Sequence, residues 1–493
     1  MTRLRHIPGL RQIPGLRQIP GSRQIALTGA IMLVAGCSGA PVYHPATIAT
    51  PKTFHEGGPW ASATKPGAAK TGGTVTIAPD WWRALGDPQL DTLEGQLSST
   101  SPTLAAALAR NDEARAALRI AQSDALPTIG TAANPGYNRQ SNDRPLRSST
   151  QQSQYGNNQI GLTASYEVDL WGRVRNSIAT GRAKAEASTW DTAAIRLSLQ
   201  AELATSYITL RGLDAESDLL KRSIAAFTQA DTVVRARFTG GVATGIDTGR
   251  SGAQLADAQA QLADVLAARA KLEHAIASLV GSPASSFAIA PASGTLTVTI
   301  APVGLPATLL QRRPDVAAAE RRMYAANRSI GVARAAFFPT IDLAASGGTN
   351  ATTIAGLAMA SNVFWALGPA IAMTVFDGGR RSAAVRGARA RWDEAAADYR
   401  TTALTAFQEV EDSLSALHHF GDEDSAAARA AGQAQQAADL SMIRYEKGAS
   451  NYLDVVIAQT TALFQQRRAI EVHTLRLNAT VSLARSVGGG WKA

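Results

Sequence analysis

The sequence predicts a mainly α-helical chain with a small β part, in which one structural unit is written twice. The stretch from Tyr445 to Asp454 joins two long Ala-rich runs, and the stretch from Phe238 to Asp247 matches it 207 residues earlier. The same spacing relates Gly172 to Gly379. A repeat of this length indicates a duplicated domain rather than a short solenoid repeat. Each half contains long runs with heptad spacing, which predict helices. Each half also contains a short segment of alternating apolar and polar residues, which predicts a strand.

The first 36 residues are typical of a secretory signal peptide. Several arginines precede an apolar run from Ile25 to Ala35, which is too short to cross a bilayer as a helix. The run ends in Leu-Val-Ala-Gly-Cys37, which resembles the cleavage box of bacterial lipoproteins. Cys37 is the only cysteine, so we expect cleavage before it and acylation of its thiol and new amine. The alternative is an ordinary buried thiol. By the same resemblance, Ser38 favours sorting to the outer membrane.

The rest of the chain divides by composition. Residues 37–80 are rich in Pro, Gly, Ala and Thr without periodicity, which predicts an extended segment. We expect the first structural repeat at 81–281, a connector at 282–306, the second repeat at 307–488 and a short tail at 489–493. Trp81 and Trp82 should open a first helical stretch that runs to about Asp124.

Each repeat is expected to contain two strands of about ten residues. The first begins at Leu126-Pro127 and, in the second repeat, at Phe338-Pro339. The second strand alternates apolar and polar side chains, as half-buried strands do. In the first repeat Ile160, Leu162 and Tyr166 alternate with Thr163, Ser165 and Glu167. In the second repeat the alternation runs from Leu367 through Pro369, Ile371 and Met373 to Val375. Strands of this length suit a tilted crossing of a bilayer. Four strands cannot close a barrel, so the sequence predicts a transmembrane barrel shared between chains.

Long helices should follow each second strand. Helices of about 60 residues are predicted from about 174 and about 381, and each would span about 90 Å. Apolar and small side chains step alternately by three and four residues along them, as in a coiled coil. These positions are Leu203, Ser206, Leu210, Leu213, Ser217, Leu220, Ile224 and Phe227, then Leu255, Ala258, Leu262, Val265, Arg269, Leu272, Ile276 and Leu279. The last helix keeps one heptad stripe, which is Val456, Leu463, Ile470, Leu477 and Ala484.

Glycines mark the two turns between paired long helices. They are Gly240 and Gly241 in the first repeat and Gly448 in the second. Glycine suits these positions because a helix commonly ends in a left-handed residue.

No pattern for catalysis, metal or cofactor binding is found. None of the seven histidines has zinc-type partners at helical spacing, and no Walker lysine or G-x-S-x-G motif is present. The net charge is +9, but part of it belongs to the signal peptide and no basic cluster carries interleaved aromatics, so nucleic acid is not an expected partner. We therefore expect neither an enzyme nor a cofactor or metal site.

Several stretches together identify a known family. They are residues 312–320 (RRPDVAAAE), 330–340 (IGVARAAFFPT), 375–379 (VFDGG) and 488–491 (GGGW). With the duplication and the lipoprotein signal, they resemble the TolC-like outer-membrane factors of tripartite efflux pumps, close to the NodT-type lipoproteins. The resemblance implies a homotrimer with a 12-strand transmembrane barrel and a long α-helical coiled-coil barrel in the periplasm. It also implies a periplasmic adaptor, an inner-membrane pump of the resistance-nodulation-division type, and outer-membrane lipid as partners.

The resemblance also implies a closed periplasmic mouth just after the second glycine turn. The matching positions are Leu453, Asp454 and Ile457, and their counterparts in the first repeat are Ile246, Asp247 and Arg250. Two simpler roles stay open, because Asp454 could cap the helix and Leu453 could pack in the core.

Two alternative functions share these features. A type I secretion outlet would have the same fold, and a non-transporting lipoprotein scaffold would have the long helices without strands. The sequence does not identify the exported substrate.

Overall fold

The computed structural model describes residues 39–56, 80–141, 143, 148, 150–292, 296 and 312–489. The signal peptide, Cys37 and most of the connector lie outside the described residues. The chain forms two compact units. One contains residues 121–178 and 328–388, together with 39–42; the other contains 43–120, 179–327 and 389–489 as far as these are described.

The described residues contain seven α-helices, which follow the predicted duplication. They are α1 (Pro88–Thr100), α2 (Pro102–Ser123), α3 (Arg173–Thr239), α4 (Gly245–Leu279), α5 (Pro314–Ala335), α6 (Arg380–Glu446) and α7 (Tyr452–Ser486). Helices α3 and α6 have 67 residues each, α4 and α7 have 35 each, and α2 and α5 have 22 each. This confirms the duplicated, mainly helical fold.

The first helical stretch is interrupted twice, unlike the single run that the sequence predicts. Trp81–Leu85 form a 3-10 turn, and α1 starts after Asp87, whose carboxylate accepts hydrogen bonds from the backbone of Gln89 and Leu90. Ser101 then adopts an extended conformation before Pro102. The residue before a proline avoids helical geometry, so α1 and α2 are separate helices.

The first unit is built on a four-stranded antiparallel sheet. The six strands are β1 (Thr128–Asn134), β2 (Tyr137–Arg139), β3 (Gln154–Gly156), β4 (Asn158–Glu167), β5 (Thr340–Ala351) and β6 (Val363–Ala372). The sheet has the order β1-β4-β5-β6, and β2 pairs with β3 in a separate two-stranded ribbon. Strand β4 from the first repeat therefore lies beside β5 from the second, and β1 and β6 form the two edges.

The two faces of the sheet differ in polarity, as the alternation predicts. One face carries Ile129, Ile160, Leu162, Tyr166, Leu343, Trp365, Leu367 and Ile371, and the other carries Gly130, Thr163, Ser165, Glu167, Asp342, Ser346, Gly348 and Ala366. The large apolar side chains of the first face are mostly exposed to solvent in the single chain.

Strand β6 ends earlier than the sequence pattern suggests. The alternation continues to Val375, but the strand stops at Ala372. Ala372 lies opposite Thr340, the first residue of β5, so residues after 372 have no partner strand among the residues that the structure describes. Pro369 lies within β6 opposite Leu343, which is acceptable because β6 is an edge strand.

The second unit buries the predicted helix seams. Leu220, Phe227, Ala258, Val265 and Leu463 form one buried cluster along α3, α4 and α7. A larger cluster at the other end of these helices includes Leu203, Tyr207, Leu210, Ile276 and Leu477. Both clusters contain seam positions from helices far apart in sequence, which confirms the coiled-coil pattern.

The polar seam position Arg269 has a structural explanation. Its guanidinium donates to Asp214 at 2.6 Å, and Asp214 also accepts from Arg211 at 2.9 Å. Arg269 and Arg211 further donate to the backbone carbonyls of Ile289 and Ala290. Buried charges are tolerated when they are paired and hydrogen-bonded. This network holds the start of the connector against α3 and α4.

None of the helices in the described ranges is both long enough and apolar enough to cross a membrane.

Candidate functional site

The expected site lies where the paired long helices turn, and both turns use the same backbone geometry. Gly241 and Gly448 have φ angles of 75° and 78°. In each turn the next residue donates a backbone hydrogen bond back to an arginine carbonyl, from Val242 to Arg237 at 2.9 Å and from Ala449 to Arg444 at 2.8 Å. This is the Schellman closure of a helix, in which a left-handed glycine avoids a steric penalty.

Gly240 has no such requirement. It is absent from the glycines with positive φ among the described residues, and Lys447 occupies the matching place in the second repeat. Only one glycine per turn is therefore needed by the backbone.

The first turns of α4 and α7 are capped by different residues. Thr244 caps α4, and Asp247 completes a capping box by accepting from the backbone and hydroxyl of Thr244 at 3.0 and 2.8 Å. Asn451 caps α7 by accepting from the backbone of Asp454 at 3.0 Å. The suggestion that Asp454 is the cap is wrong, because it lies at the third helical position. No hydrogen bond or ion pair engages its carboxylate among the residues the structure describes.

The residues expected at the mouth lie on the exposed side of α7. Tyr452 and Val455 are buried beneath the turn, whereas Leu453 and Ile457 are 38% and 56% exposed. Asp454 is also exposed. Core packing in the single chain therefore does not account for Leu453. In the first repeat, Ile246 and Arg250 occupy the corresponding exposed positions.

An arginine that the sequence analysis did not single out joins the two hairpins. Arg237, at the end of α3, donates to the backbone carbonyls of Tyr445 and Glu446 at 2.8 and 2.7 Å. Its guanidinium also lies 4.4 Å from the centre of the Tyr445 ring. These carbonyls belong to the last turn of α6, where a cation is favoured by unpaired acceptors and the helix dipole. A basic residue in the last turn of α3 was the available signal, but its partner lies some 200 residues away.

A buried acid holds α3 to α4 next to this contact. Asp231 accepts from the Ser251 hydroxyl at 2.5 Å and from Arg235 at 2.6 Å. Burial favours its neutral form, but the hydrogen bonds from Arg235 and Ser251 hold the pKa of Asp231 below its ordinary value. Burial, and then the Asp231 carboxylate, raises the pKa of Tyr452 to about 12.

The second hairpin lacks this polar clamp. The positions that match Asp231, Arg235 and Ser251 at a spacing of 207 are Ala438, Met442 and Ala458. A hydrogen bond from Ser251 to the Asp231 carboxylate therefore links α3 to α4 in the first hairpin, whereas the matching positions of the second hairpin carry apolar side chains.

The two returning helices lie side by side above the turns. Gln254 of α4 donates to Gln459 of α7 at 3.3 Å, and Arg467 donates to Gln261 at 2.9 Å. Arg467 also pairs with Glu216 of α3. Within the described residues, no group of three or more His, Cys, Asp or Glu side chains could hold a metal ion. The arrangement is one of helix contacts around an exposed apolar and acidic surface.

Comparison with known proteins identifies relatives of this chain. The family described as "Outer membrane efflux protein" matches residues 93–282 and 305–489. The chain is 32% identical over 464 residues to the outer membrane protein OprJ of Pseudomonas aeruginosa, covering 93% of this chain and 94% of OprJ. It is 29% identical to the toluene efflux pump outer membrane protein TtgI of Pseudomonas putida, covering 94% and 97% of the two chains.

A solved structure shares the fold. The open state of the MtrE outer membrane channel of Neisseria gonorrhoeae superposes with a TM-score of 0.79 at 25% identity, covering 92% of this chain and 98% of MtrE. The match to the outer membrane efflux protein family over both repeats argues against a non-transporting scaffold. This chain therefore belongs to the outer membrane efflux protein family and is an outer-membrane channel component of an efflux system rather than an enzyme.

Proposed function

We propose that the chain works as a homotrimer that connects a periplasmic adaptor and an inner-membrane pump, of the resistance-nodulation-division type, to the cell exterior. The observation that carries this proposal is the sheet. It has an exposed apolar face and two open edges, at β1 and β6. A sheet in lipid must pair all its backbone groups in a closed barrel. Four strands are too few to close one, whereas three chains supply twelve.

The apolar face of the sheet would then meet lipid, and the face with Thr163, Ser165 and Glu167 would line the lumen. Trp171 follows β4 in the chain, beyond its Glu167 end, and stacks on Phe338, with ring centres 4.6 Å apart. Its indole donates to the carbonyl of Pro339 at 2.8 Å. Such paired aromatics suit the boundary between lipid and water.

A lipid anchor on Cys37 fits the position of the residues that follow it. The carbonyl of Gly39 accepts from Arg334 at 3.2 Å, and Ala40 lies against Gly331. Gly39 follows Cys37 by two residues in the sequence and is close to Trp171, so acyl chains on Cys37 would start near the aromatic boundary of the sheet.

The periplasmic mouth would be formed by the hairpin turns. In a trimer, Leu453, Asp454 and Ile457 would each occur three times around the axis. Three Asp454 carboxylates would favour cations, and the leucine and isoleucine would narrow the opening. Closure would depend on helix contacts such as those of Arg237 and Asp231, because a single exposed ion pair contributes only about 0–1 kcal/mol.

The adaptor would bind at the hairpin tips. Phe238, Val242 and Ile246 are exposed around the first turn, which leaves apolar side chains free at the tip of this hairpin. Exposed apolar groups of this kind mark interaction sites. An adaptor that binds the open arrangement more tightly would shift the mouth toward opening. The toluene efflux pump named above favours a small-molecule substrate.

The assembly is tested by crosslinking in native membranes with an amine-reactive reagent. We expect a ladder that ends at three subunits, and a monomer that contains a complete barrel would contradict the proposal. Adaptor binding is tested by co-purification. Phe238→Ala with Ile246→Ala should lower adaptor recovery at unchanged trimer level. Leu266→Ala, about 30 Å from Ile246 along α4, is the matched control and should have no effect.

A further inference from the structure

The contact between the two repeats within one chain also describes the contact between chains. Inside the chain, β4 of the first repeat pairs with β5 of the second. Strand β6 and helix α6 repeat β4 and α3, because α3 begins at 173 and α6 at 380. Strand β1 and helix α2 repeat β5 and α5 at a spacing of 212, since β1 begins at 128 and β5 at 340. The free edges β6 and β1 are thus copies of two strands that already pair.

The register of the internal pair is defined by its periplasmic end. Glu167 lies opposite Asp342, and Ser165 lies opposite Ala344. The ladder continues one step beyond β4, where the backbone of Val168 donates to the carbonyl of Ile341 at 2.8 Å. Because Val168 and Ile341 are directly opposite, they form a hydrogen-bonded pair, and such pairs alternate with non-hydrogen-bonded ones.

We propose that β6 of one subunit pairs with β1 of the next in this same register. Shifting each strand by its repeat spacing places Val375 opposite Ile129, Met373 opposite Thr131, and Ile371 opposite Ala133. The proposal rests on the homotrimer proposed above and specifies how its barrel closes.

The polarity of the two edges agrees with this register. Ile371 and Ile129 lie on the apolar face of the sheet in the single chain. The proposed pairs keep this face continuous across the junction. A shift by one residue would turn the side chains of one strand to the opposite face.

The unfinished end of β6 provides a second argument. Residues 373–376 follow the strand and pair with no other strand in the described part of the chain, and Val375 and Phe376 are 89% and 87% exposed. In the proposed register, β1 of the neighbouring subunit runs beside this segment, so β6 would lengthen to about Val375. The ladder of the matching strand β4 ends at the corresponding residue, Val168.

The prolines provide a third argument. If Val375 and Ile129 form a hydrogen-bonded pair, the odd-numbered residues of β6 direct their backbone groups toward the neighbouring subunit. Pro369, which has no N–H, would then lie opposite Pro135, the residue that follows the end of β1 at Asn134. Strand pairing between the subunits therefore ends before it reaches either proline. The missing N–H groups of the prolines then leave no hydrogen bond of the ladder unmade.

The register is tested by paired cysteines on the small-residue face. Ala372 and Ala132 would form a non-hydrogen-bonded pair with Cα atoms about 4.5 Å apart, within disulfide range. Oxidation of Ala372→Cys with Ala132→Cys should yield disulfide-linked dimers and trimers on a denaturing gel. The controls are Ala372→Cys with Gly130→Cys, Ala372→Cys with Asn134→Cys, and each single variant. All variants retain Cys37, and each control should give much less product.

The outcomes separate the register from the assembly. Stronger crosslinking in a shifted pair than in the matched pair would overturn the register while leaving the trimer intact. An amine-crosslinked trimer in which no cysteine pair reacts would overturn pairing between β6 and β1. Absence of any trimer from the parent protein would instead refute the proposed assembly itself.

Discussion

Replacing the buried carboxyl group of Glu94 by an amide should stabilise the protein at neutral pH. Glu94 lies on α1, is 0% exposed, and neither of its carboxyl oxygens has a hydrogen-bond partner among the described residues. Burial, and then the nearby Asp91, raises the pKa of Glu94 from an ordinary value of 4.5 to about 9. The folded chain therefore holds a proton here that the unfolded chain has released.

The sign and size of the effect follow from this difference. Between pH 4.5 and pH 9 the folded state binds the extra proton, so the unfolding free energy falls as the pH rises. Each pH unit in this window lowers the unfolding free energy by about 1.4 kcal/mol. From about pH 4.5 to about pH 7.5 the loss is on the order of 4 kcal/mol per chain, and Glu94→Gln removes it.

Thermal unfolding followed by far-UV circular dichroism measures the effect on the protein purified in detergent. Glu94→Gln should unfold at a higher temperature than the parent protein near pH 7.5, and the gap should nearly vanish near pH 4.5. Glu113→Gln makes the same chemical change at an exposed position of α2 and should show no comparable gap. A Glu94→Gln protein that is less stable near pH 7.5, or a gap that does not change with pH, would refute the reasoning.

Three further predictions concern the mouth and the anchor. Arg237→Gln removes two charge-assisted hydrogen bonds to α6, each contributing about 1.5–3 kcal/mol. Single-channel recordings of this variant in planar bilayers should show a higher resting conductance, and an unchanged conductance would assign Arg237 to helix capping alone. Leu453→Ala with Ile457→Ala should raise resting conductance and vancomycin sensitivity, and Asp454→Ala should lower cation selectivity. Unchanged conductance and selectivity in the triple variant, at normal trimer level, would contradict a role of these residues at the mouth. Cys37→Ser should abolish palmitate labelling and alter processing, and a labelled serine variant would rule out lipidation at this residue.

The regular parts of the fold follow from local patterns, which is why the sequence predicts them. Heptad spacing locates the buried positions of α3 and α4, and glycine identifies the left-handed residue at each turn. Alternation defines the two faces of β4. These features depend on residues close together in the chain, so no knowledge of distant contacts is needed.

The details that sequence reasoning missed depend on distant partners. The end of β6 at Ala372 is set by where β5 begins, and the role of Arg237 is set by carbonyls about 200 residues away. Arg269 interrupts an apolar seam, yet it is satisfied by Asp214 on another helix. Asn451, rather than Asp454, caps α7, because small shifts of the turn decide which side chain reaches the free backbone groups. Single-sequence patterns carry little information about such choices.

The different clamps of the two hairpins have a consequence for movement. Helices of equal length would suggest six equivalent hairpins around the axis of the proposed trimer. The first hairpin, however, is tied by Asp231 to Ser251, whereas alanines stand at both matching positions in the second. Bending the first hairpin apart must break the buried hydrogen bond between Ser251 and the Asp231 carboxylate, whereas no matching bond has to break when the second hairpin bends. Motion of the mouth would therefore have three-fold symmetry, with three hairpins remaining in place while the other three swing outward.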